Sequence, residues 1–487
     1  MTDFACIQGQ LVIDGELRPA QSTKTYPVIN PATAQPFADA ADGSDADLDA
    51  AIGAAATVFD TTEWATDPAF RSRCLRQLHQ LCLDHREQWR ELTVAEVGAP
   101  LALTYGAQLD DPIEGFAWVA DLVDRYQWES SLGIAKPFGI QTNRIARKEP
   151  TGVVGAITPW NFPNQINIAK VAPALGAGCT VVLKPAPDTP LTAVFLGWLA
   201  SQTDMPPGVL NVVTGSNPVL GAPLATDERV GMVSFTGSTS TGRLVMEAAA
   251  ASIKPVFLEL GGKSAFIVLD DADLAGATGM AGLTVCTHAG QGCAITTRIL
   301  LPRSRYDEGV ELLAATMTAM GPGEPTDPAI MFGPLISERQ RQRVLSYVEV
   351  GKAEGARLVT GGGIPPELPG FYVEPTLFAD VTNDMTIARE EIFGPVLVAI
   401  PYDGDDEAVA IANDSPYGLS GSVFSADTER AVDVARRIRT GTVSVNGGIW
   451  YGHDVPFGGY KQSGIGREMG LSGFEEYLQT KVIAVAV

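Results

Sequence analysis

The spacing of apolar residues changes its period along the chain. Over residues 45–128 they recur at helical spacing. Residues 45–59 are alanine-rich and open with acidic side chains that suit a helix N-terminus, and 68–97 and 100–126 continue the pattern. From 151 to 260 the pattern alternates. Short apolar runs at 153–157, 180–183, 209–213 and 230–235 read as strands, with helical stretches such as 167–177 and 190–202 between them. A second alternation follows over 260–460. Strand–helix alternation with short apolar strands predicts α/β domains built on largely parallel sheets. Residues 1–44 are turn-rich with strand-like pieces such as 10–13, and Pro150-Thr151-Gly152 marks a break. The tail, 481–487, reads as a strand with no helix left to pair with. Such a strand is expected to complete a sheet edge, as in a partner subunit.

Composition narrows the classes. With 487 residues, 45% of them hydrophobic, the chain supports two or three domains. A formal net charge of −23 disfavours partners that present phosphate, so neither nucleic acid nor an anionic membrane is expected. The nearest basic stretch, Arg144 to Lys148, is short. Six scattered cysteines and four histidines form no CxxC or HxxxH pair, so no metal site is expected, and the cysteines read as reduced thiols in a cytoplasm. Residues 1–10 show no basic and apolar leader pattern, and no run reaches the roughly 18 to 20 apolar residues that cross a bilayer.

Four segments carry candidate chemistry. Cys293 in Gly290-Gln291-Gly292-Cys293 sits in backbone able to approach a ligand, although most such cysteines are small buried hydrophobes. Glu259, in Leu258-Glu259-Leu260-Gly261-Gly262-Lys263, ends a strand beside a glycine pair, where partial burial would make it a general base and full exposure merely a surface charge. Asn161, between Trp160 and Phe162 in Pro159-Trp160-Asn161-Phe162-Pro163, follows a strand. It is either a rigid donor for an oxyanion or a simple turn residue. Phe235-Thr236-Gly237-Ser238 precedes a helix and suits a pyrophosphate or an ordinary cap. No intact GxGxxG occurs.

In order and spacing these segments resemble the aldehyde dehydrogenase superfamily over nearly the whole chain. The motifs are PWNFP at 159–163, LKPAPDTP at 183–190, FTGS at 235–238, LELGGKS at 258–264, GQGC at 290–293, EEIFGPV at 390–396 and PFGGYKQSGIGRE at 456–468. The resemblance implies an α/β fold with a modified Rossmann cofactor domain (1–127 and 149–258), an α/β catalytic domain (259–462) and small β bridging segments for oligomerisation (128–148 and 463–487). A homodimer or homotetramer is expected, with the tail strand completing a neighbour's sheet.

The resemblance also implies roles. Cys293, as thiolate, attacks an aldehyde, and the Asn161 amide with the Cys293 backbone N–H holds the oxyanion. Glu259 activates the water that hydrolyses the thioester, and its presence argues against acyl transfer to coenzyme A. Glu468 matches a proton-relay carboxylate, and Lys170 a lysine near the oxyanion site. NAD is the expected cofactor. Lys184 would reach the adenosine ribose, Gly237 and Ser238 the pyrophosphate with Gly221 nearby, Trp160 would lie along the cofactor, Leu260 would back the nicotinamide, and Glu391 with Phe393 would clamp the nicotinamide ribose. Pro187 stands where NAD-preferring members often carry glutamate, with Asp188 next to it, so NADP stays open. Phe162, Ala169, Tyr451 and Phe457 would line the aldehyde tunnel, Ala169 widening it. With no Arg or Lys among them, an uncharged medium-chain or aromatic aldehyde is expected.

Overall fold

The computed structural model describes residues 4–487; residues 1–3, the beginning of the N-terminal stretch read above, lie outside the described residues. Among the described residues, an eight-stranded sheet runs in the order Gly464–Ile465, Val256–Glu259, Val230–Thr236, Val153–Ile157, Thr180–Lys184, Leu210–Val212, Leu11–Ile13, Glu16–Arg18. The five strands from Val256–Glu259 to Leu210–Val212 are parallel to one another. Strands Val153–Ile157 and Thr180–Lys184 are buried almost throughout, which is why they read as unbroken apolar runs rather than as an alternation.

Helices cover this sheet. Asp45–Thr61 begins at a reciprocal cap in which Ser44 accepts from the Asp47 backbone and Asp47 accepts from that of Ser44. Pro163–Ala177 starts earlier than its apolar pattern, at a proline in the first turn, where a missing N–H costs nothing. The expected helix 68–97 is two helices, Pro68–Asp84 and Arg86–Val97, because His85 leaves helical geometry between them.

A second sheet of seven strands runs Arg357–Thr360, Thr376–Ala379, Val396–Tyr402, Thr296–Pro302, Ser264–Val268, Gly421–Phe424, Ser444–Val445, parallel except for its first pair. It encloses its own apolar core. The third sheet holds Leu478–Ala486, Thr142–Pro150 and Glu129–Ala135. The tail strand pairs antiparallel with Thr142–Pro150 of its own chain and forms the outer edge of this sheet. The reason is local: helix Gly470–Glu475 and the Thr151 N–H bond to the Tyr477 carbonyl deliver the chain directly to the edge of Thr142–Pro150. Strand Gly464–Ile465, by contrast, extends the first sheet beside Val256–Glu259.

The two large sheets meet where Val256–Glu259 passes through Leu260 to Lys263 into Ser264–Val268. Arg298, on the strand that follows Cys293, fixes this junction. Its buried guanidinium donates to the carbonyls of Lys263, Ile411 and Ala412 and to the Asn383 side chain. Removing it strands several buried acceptors. Arg298→Met, which keeps most of the volume, is expected to lower stability by about 2–4 kcal/mol in thermal or denaturant unfolding. A melting curve matching that of the parent protein would show the network to be dispensable.

Candidate active site

Four separated segments deliver the central side chains. Asn161 lies between strand Val153–Ile157 and helix Pro163–Ala177, and Glu259 ends strand Val256–Glu259. Cys293 precedes strand Thr296–Pro302. Glu468 is bridged to Phe457 by two backbone hydrogen bonds of 2.7 and 2.6 Å. Close packing joins the loops: a Cβ on Gly262 would come within 2.7 Å of the Cys293 carbonyl oxygen.

Two cavities meet at these residues. One, of about 370 Å³, is mostly apolar; Phe162, Gln165, Ile295, Trp450, Tyr451 and Phe457 are among its walls. The other, of about 540 Å³, is flanked by Trp160, Gly237, Ser238, Leu260, Glu391 and Phe393. Asn161, Ile166, Thr236, Glu259 and Cys293 line both.

The electrostatics of the junction are unusual. Glu259 is 1% exposed, and neither carboxylate oxygen has a partner in hydrogen-bond geometry among the described residues. Burial, and then the negative charge of Glu468, hold its carboxyl well above the usual range; Lys170 opposes the shift, and the Cys293 thiol lies near enough to favour the charged form slightly. Burial pushes the Cys293 thiol well up too, followed by Glu259, Glu391 and Glu468. The Cys293 thiol therefore holds its proton more tightly than a free cysteine and must lose it to become the attacking thiolate.

Lys170 is fully buried, donates to Glu468 Oε1 at 2.9 Å and to Ser234 Oγ at 3.2 Å, and sits over the Phe257 ring. It serves Glu468, so its place is behind the carboxylates. Asn161 is 3% exposed. One of its amide hydrogens goes to the Gln291 carbonyl at 3.0 Å, leaving the other donor uncommitted there. The Cys293 backbone N–H enters no backbone hydrogen bond among the described residues.

The second cavity has features that fit a dinucleotide. Ser238 caps the eleven-residue helix Thr239–Ala249, whose N-terminus follows Gly237 at the cavity wall. Trp160 and Phe393 meet edge-to-face at 5.3 Å. Glu391 accepts from the Gly262 N–H at 3.0 Å, and burial pushes its carboxyl up to about 7. Gly261 makes that approach possible, since a Cβ there would lie 2.2 Å from Glu391 Oε2. Thr236 Oγ1 is buried without a partner among the described residues.

Three of the expected cofactor residues lie outside this cavity. Lys184 and Gly221 adjoin each other: a Cβ on Gly221 would come within 3.5 Å of Lys184 Cδ. Burial lowers the Lys184 ammonium to about 8. Pro187 is half-buried beside Asp188, whose carboxylate lies 3.8 Å from Arg339, a residue of the cavity wall. Ala169 packs with Cys293, Trp450, Tyr451 and Phe457. It lines a smaller apolar cavity of about 30 Å³ that shares Gln165 and Tyr451 with the larger one. Gln165, Trp450, Arg343, His288 and Gln291 were not singled out by the sequence; no local signal distinguishes them from core or surface residues.

The model of the aldehyde dehydrogenase family matches residues 17–483. The chain belongs to that family. A 3-succinoylsemialdehyde-pyridine dehydrogenase of Pseudomonas sp. is 44% identical over 481 residues, covering 97% of this chain and 98% of the relative. An aldehyde dehydrogenase of Mycobacterium tuberculosis, solved with NAD+, superposes with a TM-score of 0.93 at 43% identity, covering 98% of each chain. A variant of aldehyde dehydrogenase C from Pseudomonas syringae, solved with NAD+ and octanal, gives 0.94 at 41% identity, covering 99% of this chain and 98% of that one. The aldehyde dehydrogenase fold expected from the motifs is thus the fold observed.

The raised values of Glu259 and Cys293 set a pH dependence. Both groups lose their protons only above their ordinary values, and the nucleophilic and basic forms are the deprotonated ones. The first-turnover rate of nicotinamide reduction is therefore expected to rise from acid toward alkaline pH. Glu468→Gln removes a like charge from both groups and should move the rise to lower pH. A stopped-flow pH profile checks this; an unmoved midpoint would show that Glu468 does not act on the pair.

Proposed function

We propose that this protein oxidises an uncharged medium-chain or aromatic aldehyde to its carboxylic acid with NAD, through Cys293. The observation that carries the reading is the meeting of an apolar cavity and a larger, more polar one at Cys293, Glu259 and Asn161. The aldehyde occupies the first cavity and the dinucleotide the second, held by Trp160, Gly237, Ser238, Leu260, Glu391 and Phe393. When bound, the nicotinamide supplies an acceptor for a hydride.

The chain's own residues do the rest. Glu259 takes the thiol proton as Cys293 Sγ attacks the aldehyde carbon. The oxygen that becomes negative is held by the second Asn161 amide hydrogen and the Cys293 N–H. Loss of hydride from the carbon leaves a thioester on Cys293. Glu259, having passed its proton outward toward the Glu468–Lys170 pair, then draws a proton from water. That water attacks the thioester, and collapse expels Cys293 and releases the acid. The wall residues Phe162, Tyr451 and Phe457 are apolar or aromatic, and the tunnel wall carries carboxylates rather than cations, which disfavours an acid-bearing aldehyde. The octanal-bound and pyridine-type relatives agree with an apolar or aromatic tail.

NAD is favoured by the NAD+ complexes of relatives, and by Asp188 near Lys184, whose carboxylate would repel a 2′-phosphate. The eight-stranded sheet with its helices would form the cofactor domain, the seven-stranded sheet the catalytic domain, and the three-stranded sheet a bridge. Exposed Leu132, Ile134, Phe138, Val482 and Val485 on or beside that bridge favour a homodimer or homotetramer. A cytoplasmic location agrees with cysteines that form no disulfide among the described residues.

Reduced nicotinamide is expected to appear with octanal-like and aromatic aldehydes, faster with NAD than with NADP. A clear preference for a semialdehyde acid would overturn the substrate reading. Cys293→Ala should abolish turnover while nucleotide binding persists, and sustained turnover would sink the mechanism. Glu259→Gln should lower steady turnover at least ~10²-fold, the range of a lost general base; an unimpaired variant would remove Glu259 from that role.

A further inference from the structure

The segment before the nucleophile is held in a conformation that local sequence does not favour. His288, Ala289 and Gly290 have φ of 49°, 53° and 70°, three successive residues in the left-handed region. Only at Gly290 does the residue type suit it, and there a Cβ would lie 2.2 Å from the Gly394 carbonyl oxygen. Surrounding bonds must impose the conformation at His288 and Ala289.

Those bonds converge on Asn161. His288 is fully buried, and its Nε2 lies 2.8 Å from the Asn161 carbonyl oxygen. A carbonyl only accepts, so Nε2 carries the hydrogen and Nδ1 is bare; Nδ1 is buried without a partner among the described residues. Burial lowers the imidazole to about 4, so the ring is neutral at working pH. Gln108 Nε2 donates to the same carbonyl at 2.9 Å. The Asn161 side chain in turn donates to the Gln291 carbonyl. Gln291 is held by bonds from its Nε2 to the His288 and Pro334 carbonyls, both 3.1 Å, and to its Oε1 from the Ile336 N–H at 2.9 Å. Asn161, His288 and Gln291 thus close one ring of hydrogen bonds, and Gln291 lies two residues before Cys293. An imidazole kept dry with an unsatisfied nitrogen and a left-handed backbone is costly as mere filling, since an apolar residue would pack there without the orphan.

We propose that His288 is a positioning residue for the oxyanion site, orienting Asn161 through its main-chain carbonyl so that the free amide hydrogen faces the oxygen of the aldehyde attacked by Cys293. The proposal rests on the role given to Asn161 above. His288 touches no reacting atom; it acts through Asn161, with Gln108 as the second hand on the same carbonyl.

The test compares His288→Phe, which keeps a ring against Phe162 but loses the donor, with His288→Gln, which keeps an N–H. Misplacing one oxyanion donor should lower kcat by ~10-fold or more, short of the ~10²–10³-fold loss on deleting it. His288→Phe is expected to show that loss with little change in KM, in NADH affinity by fluorescence titration, or in the rate at which iodoacetamide alkylates Cys293. Alkylation develops no oxyanion, so it reports the thiol loop alone. His288→Gln should recover most of the activity, and His288→Phe should add nothing in an Asn161→Ala background. Gln108→Leu, remote in sequence from the nucleophile loop, should lower kcat in the same manner and serves if His288→Phe does not fold. Unchanged kcat in His288→Phe beside an impaired Asn161→Ala would overturn the proposal alone. Joint loss of kcat, alkylation and NADH binding would overturn it in favour of a purely structural role. An unimpaired Asn161→Ala would instead remove the oxyanion reading on which it stands.

Discussion

Glu259 and Cys293 share a buried, acid-rich corner in which a second negative charge is disfavoured. Each is pushed above its ordinary value first by burial and then by acidic neighbours, and no hydrogen bond fixes the Glu259 carboxylate. A proton lost by one is therefore most readily taken by the other, and the pair titrates as a unit. This coupling is what the mechanism needs. The same carboxylate receives the thiol proton as Cys293 attacks and, once that proton has passed outward, is ready to draw a proton from water. Lys170 is the counterweight: buried against Glu468, it keeps the cluster from becoming three carboxylates with no cation.

The rest of the architecture serves that junction. In the first sheet strand Val256–Glu259 ends in Glu259, and Val153–Ile157, two places across, leads to Asn161; in the second, strand Thr296–Pro302 begins just past Cys293. Arg298 binds the connecting loop to the second sheet, and Gly261 lets Glu391 close on it. The cavities on the two sides are different solvents. One is walled largely by rings and aliphatic chains, the other by hydroxyls, a helix N-terminus and carboxylates. An aldehyde and a dinucleotide would thus be sorted by polarity before they meet at the thiol.

Much of this was legible in the chain. Strand runs at 153–157, 180–183 and 230–235 were visible because burial on both faces leaves no polar interruption. Asn161, Glu259 and Cys293 stood out because each sits where a strand or loop meets prolines or glycines. What local pattern could not carry was long-range placement. Ala169 lies one helical position before Lys170, yet it faces the smaller cavity beside Tyr451. The tail strand was visible, but its partner depended on helix Gly470–Glu475 folding it back onto Thr142–Pro150. The protonation of Cys293 depends on Glu391 and Glu468, 98 and 175 positions away, and His288 gains its meaning only from the carbonyl of Asn161.

The central claim is a thioester on Cys293 that Glu259 helps to hydrolyse, and its most direct test is the mass of the trapped protein. Glu259→Gln mixed with octanal and NAD, quenched in acid and digested, should yield the Cys293 peptide heavier by the aldehyde less two hydrogens, with a matching amount of NADH. An unmodified Cys293 peptide after NADH has formed, or the acyl group on another cysteine such as Cys286, would contradict the account.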